Sequence, residues 1–217
     1  MNWPRVFSLL AHELRSPAAV ISGYAHMLGE GRLGEDDRLK AYAQMERAAS
    51  RMVLLGQQAG DLARWLAADA STAGQALDIR TLVTRGIARA ASPDRVSAEF
   101  VANADTLVVR TLNRDALSAA LGTVIDAAGR EVVDGGLRVV ARIAEPARAC
   151  DLLVGPSPVV SALDTTDGLT TDPLSLDRSG LGLALVLAVA IVNAHGGQIM
   201  TAGGQRDLFV IRLVAGH

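Results

Sequence analysis

A histidine and a glutamate stand side by side near the N-terminus, in the stretch AHELRSP from Ala11 to Pro17. A neutral imidazole nitrogen can attack phosphorus as a nucleophile. The neighbouring carboxylate of Glu13 can accept the N–H of the other ring nitrogen, which would fix the tautomer of His12. A metal site at His12 is disfavoured, because none of the other three histidines lies three or four positions after it. The stretch therefore predicts either a phosphoryl-accepting histidine or a plain exposed histidine.

The pattern of apolar residues places His12 on a long helix. These residues recur every three or four positions and define one apolar face: Phe7, Leu10, Leu14, Pro17, Ile21, Tyr24 and Leu28. At about 100° per residue, His12 points almost opposite this face. The residues nearest to it on the wheel are small, namely Ser8, Ser16, Ala19 and Gly23. We expect His12 to be exposed beside a smooth track that another protein can approach.

A second helix follows the turn Gly29–Asp37, which is rich in glycine and acidic residues. Its predicted apolar face consists of Leu39, Tyr42, Ala49, Met52, Ala59, Leu62 and Leu66. Two such helices joined by a short loop predict an antiparallel hairpin. Because one hairpin buries little apolar surface, we expect two copies to pair into a four-helix bundle, so that the chain is a homodimer.

The pattern changes after the small, polar stretch Ala67–Ala76, which we interpret as a linker. Predicted helices and strands then mix, as in a two-layer α/β sandwich. The predicted segments are helices near 79–90, 114–130 and 181–193, and strands at RVSAEFVA, TLVVRTL, LRVVARIA, ACDLLVG, QIMTA and LFVIRLV. The predicted domains are a helical hairpin at residues 1–69 and an α/β domain at residues 70–217.

Composition excludes several classes of protein. The net charge of −2 gives no electrostatic reason to bind nucleic acid. The single cysteine, Cys150, cannot form an internal disulfide and fits a reducing cytoplasm. The apolar run Leu181–Val192 is too short to span a bilayer, and the N-terminus lacks the pattern of a signal peptide. We expect a cytoplasmic protein that does not insert into the membrane.

Two motifs carry a resemblance to a known family. FSLLAHELRSPAAVISGYAHML (7–28) resembles the H-box helix of bacterial two-component sensor histidine kinases. SGLGLALVLAVAIVNAHGGQI (179–199) resembles the G2 box of their GHKL-type ATP-binding domain, with its helix and His-Gly-Gly turn. The resemblance covers nearly the whole chain. It implies a dimerisation hairpin followed by a Bergerat-type (GHKL) α/β sandwich.

The resemblance also implies roles for three residues of the first helix. His12 corresponds to the phosphoacceptor histidine of the family, and Glu13 to the general base beside it. Ser16 stands where a threonine or asparagine usually positions a hydrolytic water in phosphatase mode.

The nucleotide motifs depart from the family pattern. In TVIDAAGR (123–130), Ala127 stands where the Mg²⁺-binding asparagine is expected, and Gly155–Val159 lacks the aspartate that binds adenine. Gly180 and Gly182 of the G2 box are retained, either for a nucleotide or for tight helix packing. His195 is interpreted as a helix end, and Cys150 as a core residue.

An intact phosphoacceptor with a degraded ATP site resembles histidine phosphotransferases built on a kinase frame. Such a protein would relay phosphoryl groups between response-regulator receiver domains through His12. No cofactor and no metal site in this chain are then expected. Two alternatives are an active, divergent histidine kinase that uses ATP and Mg²⁺, and a non-catalytic pseudokinase that binds a response regulator.

Overall fold

The border between two packing units lies near the end of the second helix. A computed structural model describes residues 3–68, 74–101, 103–130, 132, 135–144, 149–161, 169–170, 181–202 and 208–215. The chain divides into the units Met1–Asp61 and Leu62–His217. The border falls before residue 69 because Trp65 packs against the hydrophobic core of the second unit.

The first unit contains two long helices, α1 (Trp3–Gly29) and most of α2 (Glu35–Leu66). Between them, Gly31 adopts a φ of +68°, a conformation that favours glycine. Three acidic residues occupy the first turn of α2, namely Glu35, Asp36 and Asp37. Their negative charge is favourable there because the N-terminus of a helix is the positive end of its dipole.

The buried face of α2 repeats every seven residues. It consists of Ala41, Ala48, Leu55 and Leu62. Of the face predicted for α2, Leu62 belongs to this buried set, whereas Leu39 and Tyr42 are 68% and 57% exposed in the single chain. The first two residues of this face are small alanines, whereas the last two, Leu55 and Leu62, are large. On α1 the predicted face is at least half-buried from Leu10 onward, but Phe7 is exposed.

The second unit adds four α-helices and eight strands to the described fold. The helices are α3 (Ile79–Arg89), α4 (Arg114–Arg130), α5 (Ser157–Ser161) and α6 (Leu183–Ala194). The strands are β1 (Gln75–Asp78), β2 (Val96–Phe100), β3 (Val108–Thr111), β4 (Leu137–Ala144), β5 (Ala149–Pro156), β6 (Leu169–Thr170), β7 (Gln198–Ala202) and β8 (Phe209–Val214). The predicted helices and strands are confirmed, whereas β1, α5 and β6 were not predicted.

Two sheets organise these strands. Strands β1 and β3 pair antiparallel, and the larger sheet has the order β2-β4-β5-β8-β7-β6. Only the β2–β4 pair of the described strands is parallel. The main core contains apolar residues of α3, α4 and α6 together with residues of the larger sheet. This is the expected α/β sandwich.

The predicted linker is too long at its C-terminal end. Strand β1 already begins at Gln75 and pairs with Thr111 of β3. The last residue of β1, Asp78, caps α3 by accepting a hydrogen bond from Thr81 N at 2.7 Å. That bond lowers the pKa of Asp78, because it stabilises the ionised carboxylate.

One charged pair is built into the larger sheet. The guanidinium of Arg212 on β8 donates to both carboxylate oxygens of Asp151 on β5, at 2.8 and 2.9 Å. The Asp151 side chain is 2% exposed. The pair lies across directly opposed residues, so it also marks the register of the two strands.

Within the described part of the chain, no helix is both long enough and apolar enough to cross a membrane.

Candidate functional site

A groove of about 480 Å³ lies between α1 and α2 in the first unit. Its lining comprises His12, Glu13, Ser16, Pro17 and Val20 from α1, and Gln44, Arg47, Ala48 and Arg51 from α2. The structure thus brings all three residues predicted to be catalytic into one concave surface. The opposite wall is polar and positively charged.

His12 is exposed, as the helical wheel predicts. No hydrogen bond or ion pair joins its imidazole to another residue of the described ranges. The small residues around it, Ser8, Ser16 and Ala19, are exposed as well. At Gly23 an added Cβ would meet no atom within 4 Å. The surface beside His12 is therefore open.

Glu13 contacts the other helix. Nη2 of Arg51 donates to Oε2 of Glu13 at 2.7 Å. The Glu13 side chain is 18% exposed and that of Arg51 is 43% exposed, so the carboxylate lies inside the groove and the guanidinium lies at its edge. In this structure, then, the carboxylate expected to orient the ring of His12 is paired with Arg51.

Sequence reasoning missed the α2 wall of the groove. Arg47 and Arg51 are four residues apart, a spacing that places two side chains on one face of a helix. This spacing could have indicated that both side chains face the groove. With Glu13 as the only acidic residue of the lining, two arginines leave the groove with one excess positive charge.

The residues predicted to replace the nucleotide ligands lie in the second unit. Ala127 on α4 is buried, and its methyl group offers no ligand to a metal. Its neighbour Asp126 accepts a hydrogen bond from Ala91 N at 2.8 Å. The Asp126 carboxylate thus holds the segment that follows α3.

The segment Gly155–Val159 ends a strand and begins a short helix. Strand β5 runs through Pro156 and α5 starts at Ser157. The hydroxyl of Ser157 donates to the carbonyl of Gly136 at 3.2 Å. The segment contains no carboxylate that could bind an adenine amino group.

The structure describes one of the two G2-box glycines. Gly182 has a φ of +51° directly before α6, so backbone conformation alone favours glycine there. Gly180 lies outside the described residues.

His195 has a structural environment at the end of α6. A carbonyl can only accept, so Nδ1 donates its proton to the oxygen of Ile191 at 2.6 Å. Nε2 in turn accepts from Asn113 N at 3.3 Å. The ring also lies 5.4 Å from that of Trp65. Burial lowers the pKa of His195, which favours this neutral tautomer.

Cys150 is fully buried on β5, as predicted. Burial raises the pKa of its thiol to about 12, so it is unreactive as a nucleophile. Among the residues that the structure describes, no cluster of three or more histidine, cysteine or acidic side chains could hold a metal ion.

No protein-family model and no curated protein matches the sequence. Solved histidine kinase structures do match. AdeS of Acinetobacter baumannii shares 18% identity and a TM-score of 0.62, over 95% of this chain and 98% of that chain. The histidine kinase ThkA, solved in complex with the response regulator protein TrrA, shares 16% identity and a TM-score of 0.57, over 97% and 61% of the two chains. Full-length ShkA in complex with AMPPNP shares 19% identity and a TM-score of 0.55, over 100% and 46%.

The chain has the architecture of a helical hairpin followed by a GHKL-type α/β domain. The fold is that of the histidine kinases of two-component signal transduction.

Proposed function

We propose that this chain is a histidine phosphotransferase that relays phosphoryl groups between response-regulator aspartates through His12, without binding ATP. The observation that carries the proposal is a contrast between the two units. In the first unit, His12 is exposed in an open groove. In the second, the buried Ala127 and the segment Gly155–Val159 offer no metal or adenine ligand.

In the transfer step, this chain would supply the nucleophile His12 and the general base Glu13. The lone pair of the attacking ring nitrogen forms a bond to the phosphorus of an aspartyl phosphate. The P–O bond to the regulator's aspartate breaks, and its electron pair leaves with the carboxylate. Glu13 accepts the proton from the other ring nitrogen as general base. The reverse sequence passes the phosphoryl group to a second regulator.

Ser16 stands one helical turn after His12 in the same groove. In this proposal its hydroxyl positions a hydrolytic water near the phosphoryl group. Serine stands here in place of the threonine or asparagine that is usual at this position in the family, so we expect phosphatase activity to be weak.

The partner is a receiver domain of a response regulator. The complex of ThkA with TrrA supports this class of partner, since the shared fold extends over 97% of this chain and 61% of the ThkA chain. The exposed track from Ser8 to Gly23 offers little steric obstruction to a docking domain. The regulator's own Mg²⁺ would screen charge during the transfer.

We further propose that the hairpin forms a homodimer. Several large apolar side chains of the hairpin are exposed in the single chain, including Trp3, Phe7, Leu39, Tyr42 and Val53. Exposed apolar surface of this kind marks an interaction site, and a second copy would supply a matching surface. Light scattering at micromolar concentration should give the mass of two chains, and a stable monomer would contradict this.

An active, divergent histidine kinase is the second candidate. It is favoured by the retained Gly182 of the G2 box and by the AMPPNP bound in the ShkA complex. ATP and Mg²⁺ would then be cofactors, with Gly180 and Gly182 beside the nucleotide. Calorimetry with Mg-ATP separates the candidates. We expect no binding, and a micromolar Kd would favour the kinase.

The central experiment measures transfer to this chain from phosphorylated receiver domains of the same genome. Each receiver is labelled with radioactive phosphate and incubated with wild-type chain, His12→Ala or Glu13→Ala. We expect acid-labile label on the wild type and none on His12→Ala. Glu13→Ala should take label roughly 10- to 100-fold more slowly, the usual cost of losing a group that orients a histidine.

Two results would contradict the proposal. One is a wild-type chain that takes no label from any receiver, which would favour the pseudokinase. The other is His12→Ala that takes label at the wild-type rate. Circular dichroism serves as the control, because loss of an exposed imidazole should change stability by only about 0.5 kcal/mol.

A further inference from the structure

The α2 side of the groove carries two positive charges, on Arg47 and Arg51, and Glu13 can balance only one of them. We propose that Arg51 exchanges partners: it holds Glu13 while His12 is unmodified, and it binds the phosphoryl oxygens once His12 is phosphorylated, with Arg47 as a second cationic contact. The inference rests on the proposed function, because it requires a phosphoryl group on His12.

Geometry supports the exchange. Arg51 reaches across the hairpin to Glu13 at 2.7 Å, and Glu13 is adjacent in sequence to His12. Both arginines and His12 line the same groove. The Arg51 side chain is 43% exposed, so it can change rotamer without breaking the packing between the helices. The flexible side chain can therefore turn from the carboxylate towards the imidazole.

The charges of the groove also support the exchange of partners by Arg51. Arg47 has no hydrogen bond or ion pair to another residue of the described ranges. Two like charges four residues apart on a helix destabilise it slightly, and an anion between them would remove that cost. A phosphoryl group carries nearly twice the charge of a carboxylate and accepts paired hydrogen bonds from guanidinium. It should therefore outcompete Glu13 for Arg51.

The exchange would have a chemical consequence. As the phosphoryl group arrives and Arg51 turns to its oxygens, the Glu13 carboxylate becomes available to accept the proton of the other ring nitrogen, the general-base role proposed above. Arg51 would thus be a positioning residue, which keeps the general base occupied until a phosphoryl group arrives.

The test loads His12 with phosphoramidate, so that no receiver domain is needed. The ring nitrogen forms the new bond to phosphorus, the P–N bond of phosphoramidate breaks, and ammonia leaves. The other ring nitrogen loses its proton to solvent. Phosphorus-31 NMR then follows the signal of the phosphoryl group during a pH titration. His12→Ala identifies the signal by its loss.

We expect Arg51→Gln to move the titration midpoint of the phosphoryl group upward by about 0.5 pH unit at low salt, the scale of one exposed charge pair. The shift should shrink in high salt. Arg51→Lys should restore it partly, because the charge remains but the two-pronged contact is lost. Arg38→Gln, an exposed arginine of α2 outside the groove lining, is the matched control and should leave the midpoint unchanged.

A double-mutant cycle tests the exchange itself. Glu13→Gln should lower the midpoint in the wild-type background, and it should lower it clearly less in the Arg51→Gln background. Additive shifts, or a midpoint insensitive to Arg51→Gln, would overturn the inference. Failure of phosphoramidate to label His12 under conditions that label free histidine would also overturn it. If receivers exchange phosphoryl groups with the chain but the midpoint is insensitive, the proposed function stands and only the role of Arg51 falls.

Discussion

Acidification should weaken the second unit through one residue, His195. Its neutral ring donates from Nδ1 to Ile191 and accepts at Nε2 from Asn113 N. Protonation places a second N–H against that of Asn113, and the acceptor is lost. Because burial lowers the folded-state pKa of His195 below its ordinary value of 6.5, the unfolded chain binds the proton more readily than the folded chain does. This contribution is complete above about pH 6.5 and is lost as the pH falls below it.

The size of the effect follows from the contacts. The hydrogen bond from Asn113 is long, at 3.3 Å, and a bond of this kind contributes about 1 kcal/mol. Linkage limits what one group with an ordinary pKa of 6.5 can contribute over this range to about 1.4 kcal/mol, so we expect a decrease of about 1 kcal/mol in unfolding free energy between pH 7.5 and 5.5. His195→Ala removes both hydrogen bonds and the contact with Trp65, which together should cost about 2–3 kcal/mol at pH 7.5.

Trp65 provides the assay. Its ring lies 5.4 Å from that of His195, and the other tryptophan, Trp3, can be replaced by phenylalanine. Urea unfolding followed by Trp65 fluorescence would be measured at several pH values for the Trp3→Phe chain. The same measurement on Trp3→Phe/His195→Gln serves as the matched control, because glutamine is polar but does not titrate.

The reasoning is refuted if the pH dependence of unfolding between pH 7.5 and 5.5 is the same with glutamine at position 195. It is also refuted if His195→Ala has wild-type stability at pH 7.5.

Three other substitutions have definite expected results. Gly23→Arg should block phosphoryl transfer from receiver domains by at least roughly 10-fold, since it obstructs the open track, yet leave His12 reactive towards phosphoramidate; equal losses with both donors would contradict a docking role. Gly197→Ala should destabilise the second unit by about 1–3 kcal/mol in urea, because its Cβ would lie 2.6 Å from the carbonyl oxygen of Arg212. Asp151→Ala should cost about 2 kcal/mol by thermal unfolding, because it removes a bidentate partner of Arg212; a neutral result would show that the pair sets register only.

Secondary structure could be predicted where the apolar pattern extends over many residues. Helix α4 has the bounds Arg114–Arg130 that its pattern predicts, and Asn113 caps it by accepting from Ala116 N at 2.9 Å. Strand β1 was not predictable in the same way. Its four residues, beginning at Gln75, provide too short a pattern, and pairing with β3 rather than local preference determines its conformation.

The candidate site was half predictable. The direction of His12 follows from the wheel of one helix, so exposure could be inferred from α1 alone. The contact of Arg51 with Glu13 joins residues 38 positions apart, so it depends on how the helices face each other. Leu39 and Tyr42 are exposed in the single chain, whereas Ala41, Ala48, Leu55 and Leu62 are the buried residues of α2. The apolar pattern of one helix thus does not tell which of its residues are buried within the single chain.

The position of β8 in the larger sheet has a consequence for synthesis on the ribosome. Although β8 comes last of the described strands in the chain, it lies between β5 and β7. Until residues 209–214 have left the exit tunnel, β2, β4 and β5 remain separated from β7 and β6. Nascent chains emerge from the N-terminal end and fold unit by unit. The helical hairpin can therefore form early, while the strands of the second unit keep unpaired edges until residues 209–214 have emerged.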